Sequence, residues 1–368
     1  MQFCNFEQFE SMNLLFALPG FHRFDRGAEV ALLAVATELA RLGETVTVVG
    51  SGEARAGTPY SFRRIASIRR ERFEHAPKFP PLRSDTAWED ATFALGLAAR
   101  VSLAPFDATV TCSFPFTHWA LRRHGRSGPA HIFVTQNGDW PAVSDKSEFR
   151  LFSCDGLVCT NPDYFARNEH RWPCSLIPNG VDLERFKPGR GSRERFGLPS
   201  DTPIVLMVSA LIESKRVLEG IRAVAELEKA HLVVAGDGPL RQQARELAHA
   251  LLPGRYTQIS LPADQMPLLY RSADAFLHLS LAESFGNVFL EAWASGLPIV
   301  AHESDRLRWI LGAGQFLCDT QSSAQLAAAL RAALTAGRSL KAPGVGRFAW
   351  PTIAAQYRTA ISKVLESR

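Results

Sequence analysis

The chain has 368 residues, of which 46% are hydrophobic, and at roughly 150 residues per domain this length predicts two domains. The formal net charge of +4 is mild, so it does not require nucleic acid and does not exclude an anionic ligand. We expect no nucleic-acid partner.

Six cysteines are spread along the chain without C-x-x-C spacing: Cys4, Cys112, Cys154, Cys159, Cys174 and Cys318. They predict buried, reduced thiols in a cytosolic protein. No window approaches the ~18 apolar residues of a membrane span. We therefore expect a soluble, cytoplasmic protein. The first eleven residues precede a clear strand pattern, so we interpret them as an extension, with Met12 as an alternative start.

The first half of the chain alternates strand and helix patterns. "MNLLFALPG" predicts a buried strand, "GAEVALLAVATELARLG" an amphipathic helix, and "TVTVVG" the next strand. This βαβ order implies parallel strands with a right-handed crossover. "ATVTCSF", "AHIFVTQ" and "GLVCTN" predict further short strands.

The second half repeats the same rhythm. "PIVLMVSAL", "HLVVAGDG", "YTQISL" and "AFLHLS" predict strands, and "VLEGIRAVAELEKA" and "PLRQQARELAHAL" predict the helices among them. We therefore predict an α/β protein with two doubly wound, Rossmann-like domains facing each other. The join is expected near "SLIPNGVDLERFKPG", where Pro, Gly and Asn cluster.

Ligands bind beyond the carboxyl ends of parallel strands, so the loops at those ends are the candidate site. Gly27 opens the first helix, where glycine and a helix N-terminus favour phosphate; an ordinary turn is the alternative. Lys215 and Arg216 precede a helix, where surface charge is the alternative. Gly236 and Asp237 lie in "AGDGPLR", which lacks the third glycine of a dinucleotide fingerprint.

Two glutamates flank the turn in "AESFGNVFLEAWASGLPIVA". A helix is predicted from about Asn287 to Gly296, which leaves Glu283 in the loop and Glu291 one turn inside the helix. An ionised carboxylate accepts hydrogen bonds on two oxygens, so Glu283 suits sugar hydroxyls and Glu291 suits a vicinal diol. The amides of 285–288 suit an anion. Each glutamate alone is equally compatible with a capping or solvated role.

Together these motifs resemble one family. The E-x7-E pattern with "SFGNVFLEA", followed by "GLPIVA" and accompanied by "IPNGVD", "GDGPLR" and an early Gly-Ala-Glu helix start, is similar to the GT4 family of retaining glycosyltransferases with the GT-B fold. The resemblance extends from about Asn13 to the C-terminus and is strongest over 177–301.

The resemblance implies domains at 1–176 and 177–349, an acceptor-side domain and a donor domain, with the helix of 350–368 completing the first. A nucleotide-diphosphate sugar would lie in the interdomain cleft. Glu291 would hold the ribose, Glu283 the sugar hydroxyls, and Lys215 would neutralise the leaving diphosphate. The remaining implied donor contacts are Gly27, Arg216, Gly236, Asp237, Ser284, Phe285, Gly286, Asn287 and Val288.

The sequence departs from the family in two places. Many relatives have an arginine where this chain has Ala210, and Arg216, Arg23 or Arg26 are candidate substitutes. Many relatives also have a histidine after a strand of the first domain. Here the candidate acceptor-side residues are His118, for which a core position is the alternative, and Gln136, Asn137 and Asp139 of "VTQNGDWP".

The chain contains no Asp-x-Asp pair, so we expect a metal-independent enzyme without a cofactor. The acceptor would be a hydroxyl of a glycan, a lipid-linked compound or a small molecule. The arginine-rich segment of 63–73 is either a solvated loop or a peripheral contact with an anionic membrane or lipid-linked acceptor. The alternatives to a transferase are a nucleotide-sugar-binding protein of the same fold and a GT-B sugar epimerase.

Overall fold

Two parallel β-sheets form the framework of residues 11–368, the part of the chain that the computed structural model describes. The interpretation of the first eleven residues as an extension, and Cys4 with it, therefore falls outside the described residues except for Ser11. The chain divides into two compact units. Residues up to Asn179 form one unit together with Trp350–Arg368, and Gly180–Ala349 form the other.

The first unit contains a seven-stranded sheet in the order β3-β2-β1-β4-β5-β6-β7. In chain order its elements are β1 (Asn13–Ala17), α1 (Gly27–Arg41), β2 (Thr45–Gly50), β3 (Ser61–Arg64), α2 (Asp85–Arg100), β4 (Ala108–Thr111), α3 (Phe116–Leu121), β5 (Ala130–Val134), α4 (Trp140–Val143), β6 (Gly156–Cys159), α5 (Pro162–Asn168) and β7 (Cys174–Leu176). Because helices cover both faces, the inner strands are buried along most of their length, as in the fully buried β5.

The second unit contains a six-stranded sheet in the order β10-β9-β8-β11-β12-β13. Its elements are β8 (Ile204–Val208), α6 (Val217–Ala225), β9 (His231–Ala235), α7 (Arg241–Leu251), β10 (Tyr256–Ile259), α8 (Met266–Ser272), β11 (Ala275–His278), α9 (Asn287–Ala294), β12 (Ile299–His302), α10 (Asp305–Leu311), β13 (Phe316–Cys318) and α11 (Ser323–Ala336). Every described strand pair in both sheets is parallel, so all carboxyl ends within a sheet meet at one edge.

The last helix, α12 (Trp350–Glu366), packs on α1 in the first unit. Its buried Tyr357 and Ile361 lie in the same hydrophobic cluster as Leu32 of α1. Arg358 Nε donates to Glu44 Oε1 at 2.5 Å, while the other oxygen of this buried carboxylate accepts from the backbone at the start of β1. The end of the chain is thus part of the core that the first strand begins.

Part of the arginine-rich segment is not a loop. Ser61–Arg64 form the edge strand β3, paired with β2, and Arg70–Phe73 form a 3-10 turn. Neither this strand nor α2 is among the elements that the sequence patterns predict. Within residues 11–368, no helix combines the length and the apolar character that crossing a bilayer requires.

Candidate functional site

The loop between β11 and α9 contains a backbone conformation that favours glycine. Gly286 precedes the helix with φ of 86°, and a Cβ there would lie 2.6 Å from the Phe289 ring. Phe285 is buried and contributes its backbone to the loop, whereas Ser284, Asn287 and Val288 remain partly accessible. The first amides of a helix have no intrahelical acceptor, so a helix N-terminus is a common binding site for phosphate groups.

Glu283 is the centre of a charged cluster at this edge of the sheet. Its Oε1 accepts from Lys215 Nζ and, at 2.9 Å, from His278 Nε2 at the end of β11. Burial alone would raise the pKa of Glu283, but the hydrogen bond and charge of His278 and the charge and hydrogen bond of Lys215 lower it to about 2. The carboxylate is therefore ionised at neutral pH.

Lys215 and Arg216 lie at the end of the 3-10 turn that follows β8, and their side chains have different partners. Arg216 caps α6 with φ of 52°, a conformation that side chains other than glycine rarely adopt. Its guanidinium donates to Leu279 O at 3.3 Å and to Thr320 Oγ1 at 3.0 Å. Arg216 thereby joins the loops after β8, β11 and β13, and Lys215 is the cation of this pair that reaches Glu283.

Glu291 lies one turn inside α9, as its spacing predicts. Tyr270 of α8 donates its hydroxyl to Glu291 Oε2 at 2.8 Å, and Oε1 receives no hydrogen bond from the described residues. Burial raises the pKa of Glu291, although the hydrogen bond from Tyr270 and the charge of Arg185 oppose that rise. The free oxygen leaves one strong acceptor for a ligand.

The "GDG" turn after β9 contacts the loop that carries Lys215. At Gly236 a Cβ would collide with the carbonyl oxygen of Ser209, so the two backbones approach too closely for any other residue. Leu211 donates its N–H to Asp237 O at 2.9 Å, and the Asp237 side chain binds Gly238 N–H and Arg241. Gly236 and Asp237 thus hold the segment that carries Lys215.

In the first unit, Gly27 begins α1 and Arg26 precedes it in an extended conformation. The guanidinium of Arg26 lies 4.0 Å from the centre of the Phe24 ring. Arg23 forms an ion pair at 3.3 Å with Glu89, which is buried in α2. Arg23 and Arg26, two of the three candidate substitutes for the arginine absent at Ala210, therefore have partners within their own unit.

The candidate acceptor-side residues differ in accessibility. His118 is completely buried, stacks on Phe152 and bonds His131 at 3.0 Å; burial holds the pKa of His118 well below its ordinary value. This placement agrees with the core alternative for His118.

Most side chains of the "QNGD" segment after β5 also form hydrogen bonds or ion pairs within the protein. Gln136 exchanges two hydrogen bonds with Asn179, at 2.6 and 3.0 Å. The buried Asp139 pairs with Arg167 at 2.6 Å and accepts from Asn168. Asn137 is more exposed, and its amide donates weakly to Cys112 Sγ at 3.9 Å.

His278 is the site residue that the sequence analysis missed. The run "AFLHLS" predicts a strand, and a histidine within it gives no local sign that it ends the strand or faces a carboxylate five residues later. The spacing from His278 to Glu283 across a loop has no fixed geometry. Among residues 11–368, no three His, Cys, Asp or Glu side chains form a group suited to a metal ion.

Comparison with known proteins covers both units. The model of glycosyltransferase family 4 matches residues 26–185, and that of the glycosyl transferases group 1 matches 190–344. The lipopolysaccharide core biosynthesis glycosyltransferase LpsE of Rhizobium meliloti (strain 1021) is 31% identical over 186 residues, 50% of this chain and 53% of that protein. The matches thus span about half the length of such curated relatives.

Solved structures match nearly the whole chain. A sucrose-phosphate synthase from Thermosynechococcus elongatus superposes with a TM-score of 0.76 at 20% identity, covering 98% of this chain and 100% of that one. The Anabaena protein HepE, solved with UDP-glucose, superposes with a TM-score of 0.71 at 19% identity, covering 97% and 100%. The two Rossmann-like sheets are those of the GT-B fold, and the chain belongs to the group 1, family 4 glycosyltransferases.

Proposed function

We propose that the protein transfers a sugar from a nucleotide-diphosphate sugar to a hydroxyl of a glycan, lipid-linked or small-molecule acceptor, with retention of anomeric configuration and without metal or cofactor. The observation that carries this proposal is the Lys215–Glu283–His278 cluster beside the N-terminus of α9. It combines an ionised carboxylate with cationic and amide donors suited to a sugar phosphate.

The roles follow from charge and accessibility. Glu283, ionised because its pKa is about 2, accepts hydrogen bonds from sugar hydroxyls, and His278 fixes its orientation. Lys215 balances the negative charge that grows on the diphosphate as the glycosidic bond breaks, together with the first amides of α9. The free oxygen of Glu291 accepts from the ribose diol.

No carboxylate nucleophile is needed in this scheme. The oxygen of the departing phosphate takes the proton of the acceptor hydroxyl, which attacks from the same face that the phosphate leaves. An α-linked donor then gives an α-linked product. A lipid-linked acceptor would place the reaction at the cytoplasmic face of a membrane.

The test is a screen of nucleotide sugars by mass spectrometry, with hydrolysis and transfer followed in EDTA. We expect turnover of one donor, an α-linked product and undiminished activity on chelation. Lys215→Ala should lower kcat by roughly 10²–10³, the scale for removing one group that stabilises a developing charge. Arg222→Ala, an exposed change in α6, is the matched control and should leave kcat unchanged.

Four results would contradict the proposal. A β-linked product would exclude retention, and activity that EDTA abolishes and magnesium restores would exclude metal independence. Tight binding of nucleotide without hydrolysis or transfer would favour the binding-protein alternative, and release of free epimerised sugar would favour the epimerase alternative.

A further inference from the structure

The first unit contains a basic cavity of about 340 Å³ at the carboxyl ends of β1 and β2 and beside β3. Arg23, Arg64 and Arg69 line it together with a single carboxylate, Glu53. The other lining residues are His22 and the small residues Ser51, Gly52, Ala66 and Ser67. Such a cavity is large enough for a phosphorylated sugar or headgroup and has the charge to attract one.

The wall of this cavity is tightly built. His22 adopts φ of 61° and stacks on Phe62 with the ring centres 3.9 Å apart. Its ring nitrogens bond Glu53 O at 2.9 Å and the Tyr60 hydroxyl at 2.8 Å. Burial lowers the pKa of His22, which favours the neutral form of the ring. The loops after β1 and β2 also touch so closely that Gly52 has no space for a Cβ against His22.

Arg23 is held in place by this wall. Its Nη1 bonds Ser51 Oγ and Ser67 Oγ, each at 3.2 Å, and approaches the buried carboxylate of Glu89 at 3.3 Å. Arg70 pairs with the same carboxylate at 2.7 Å. A guanidinium fixed in this way loses little conformational freedom when an anion arrives.

The other two arginines are available to an anion. Arg64 pairs at 2.6 Å with Glu53, but both side chains are more than half exposed, so water weakens this pair. The guanidinium of Arg69 forms no hydrogen bond or ion pair with any described residue. The cavity therefore offers one anchored and two adaptable guanidinium groups, a combination suited to phosphate oxygens.

We propose that this cavity binds a phosphate group of the acceptor, so that the enzyme glycosylates a phosphorylated hydroxyl compound. The inference rests on the proposed function in one respect: that function assigns the donor diphosphate to Lys215 and the start of α9 in the second unit. Gly27, the donor contact that the resemblance implies in the first unit, does not line this cavity, so the cavity is assigned to the other substrate. The phosphate belongs either to a soluble sugar phosphate or to a lipid headgroup.

Binding to the full chain tests the proposal without turnover. Isothermal titration with glucose 6-phosphate and with glucose should show binding of the phosphorylated sugar only. Arg64→Gln/Arg69→Gln should weaken that binding by about ten- to hundredfold, because hydrogen bonds to charged groups are lost. Arg100→Gln/Arg150→Gln changes the net charge equally at exposed arginines that do not line the cavity, and should leave the affinity unchanged.

A second arm identifies the source of the phosphate. In vesicle flotation, the wild type should bind vesicles that contain phosphatidic acid and should not bind phosphatidylcholine vesicles. Loss of this binding in the Arg64/Arg69 double variant supports a lipid headgroup. Binding of glucose 6-phosphate without vesicle binding supports a soluble acceptor. Absence of both, or equal loss in the two double variants, overturns the phosphate site.

Titration with UDP and GDP separates this inference from the proposed function. If a nucleoside diphosphate binds but neither phosphate probe does, the cavity assignment is wrong and the proposed transferase stands. If the phosphate probes bind with the expected loss in the double variant but no nucleotide sugar is turned over, the cavity site is supported and the proposed transferase fails.

Discussion

Glu283→Gln should change how stability depends on pH, because the pKa of Glu283 differs between the folded and unfolded chain. The folded value is about 2 against an ordinary 4.5, and the side chain is 18% exposed. At 1.36 kcal/mol per pKa unit, a downward shift of this size contributes on the order of 3 kcal/mol to folding. A lowered carboxyl pKa stabilises the fold above the unfolded value, and this stabilisation disappears as the pH falls through the folded value.

We therefore expect the variant to be less stable than the wild type by roughly 2–3 kcal/mol from pH 6 to 7. The difference should be constant above about pH 5 and shrink steadily between pH 4.5 and pH 2. Urea unfolding at a series of pH values measures it, with hydrogen exchange in β11 identifying the transition of the second unit. Glu228→Gln, at an exposed position of the same unit, is the matched control and should show no such trend.

A double-mutant cycle with Lys215→Ala assigns the cause. If the ion pair lowers the pKa of Glu283, the pH-dependent difference should be smaller in the Lys215→Ala background, with the part due to His278 remaining. A difference that is flat from pH 2 to pH 7, or a Glu283→Gln variant more stable than the wild type, would refute the reasoning.

Three further changes test other parts of the structure. Glu291→Gln should weaken binding of the nucleoside diphosphate by about 1–3 kcal/mol in isothermal titration, whereas Tyr270→Phe, which keeps the carboxylate, should weaken it less; equal losses would argue against a ribose contact. Gly236→Ala should destabilise the second unit more than Gly254→Ala, since both glycines have positive φ but only Gly236 lacks space for a Cβ; equal melting temperatures would contradict this. Ile361→Ala should cost about 2–5 kcal/mol of unfolding free energy and Ile361→Val about 0.5–1.5, and a negligible cost for both would show that α12 adds little to the first core.

Much of the fold could be predicted because local patterns agree with it. The apolar runs of β1 and β8 and the helix beginning at Gly27 are visible in the sequence, since parallel strands buried on both faces are apolar throughout. The edge strand Ser61–Arg64 was missed because it is short, mostly exposed and rich in arginine, so no apolar run reveals it.

The site residues could be predicted where their positions follow from spacing along the chain. Glu283 in the loop and Glu291 inside α9 follow directly from where the helix starts. The partners of these carboxylates, His278 and Tyr270, could not be predicted, because each reaches its glutamate from another element. The buried Asp90 likewise holds the start of α3 through Thr117, 27 residues away, with no local sign.

The membership of α12 in the first unit has a consequence for synthesis and for engineering. Domains usually complete their folding in the order in which they leave the ribosome. Here the first unit lacks the helix that covers α1 until α12 has been made, whereas Gly180–Ala349 are complete earlier. The unit that contains β1 and α1 is therefore completed after the unit of Gly180–Ala349. A stop codon or a protease cut near residue 350 would uncover apolar surface more than 300 positions away in the sequence, around Leu32 and the start of β1.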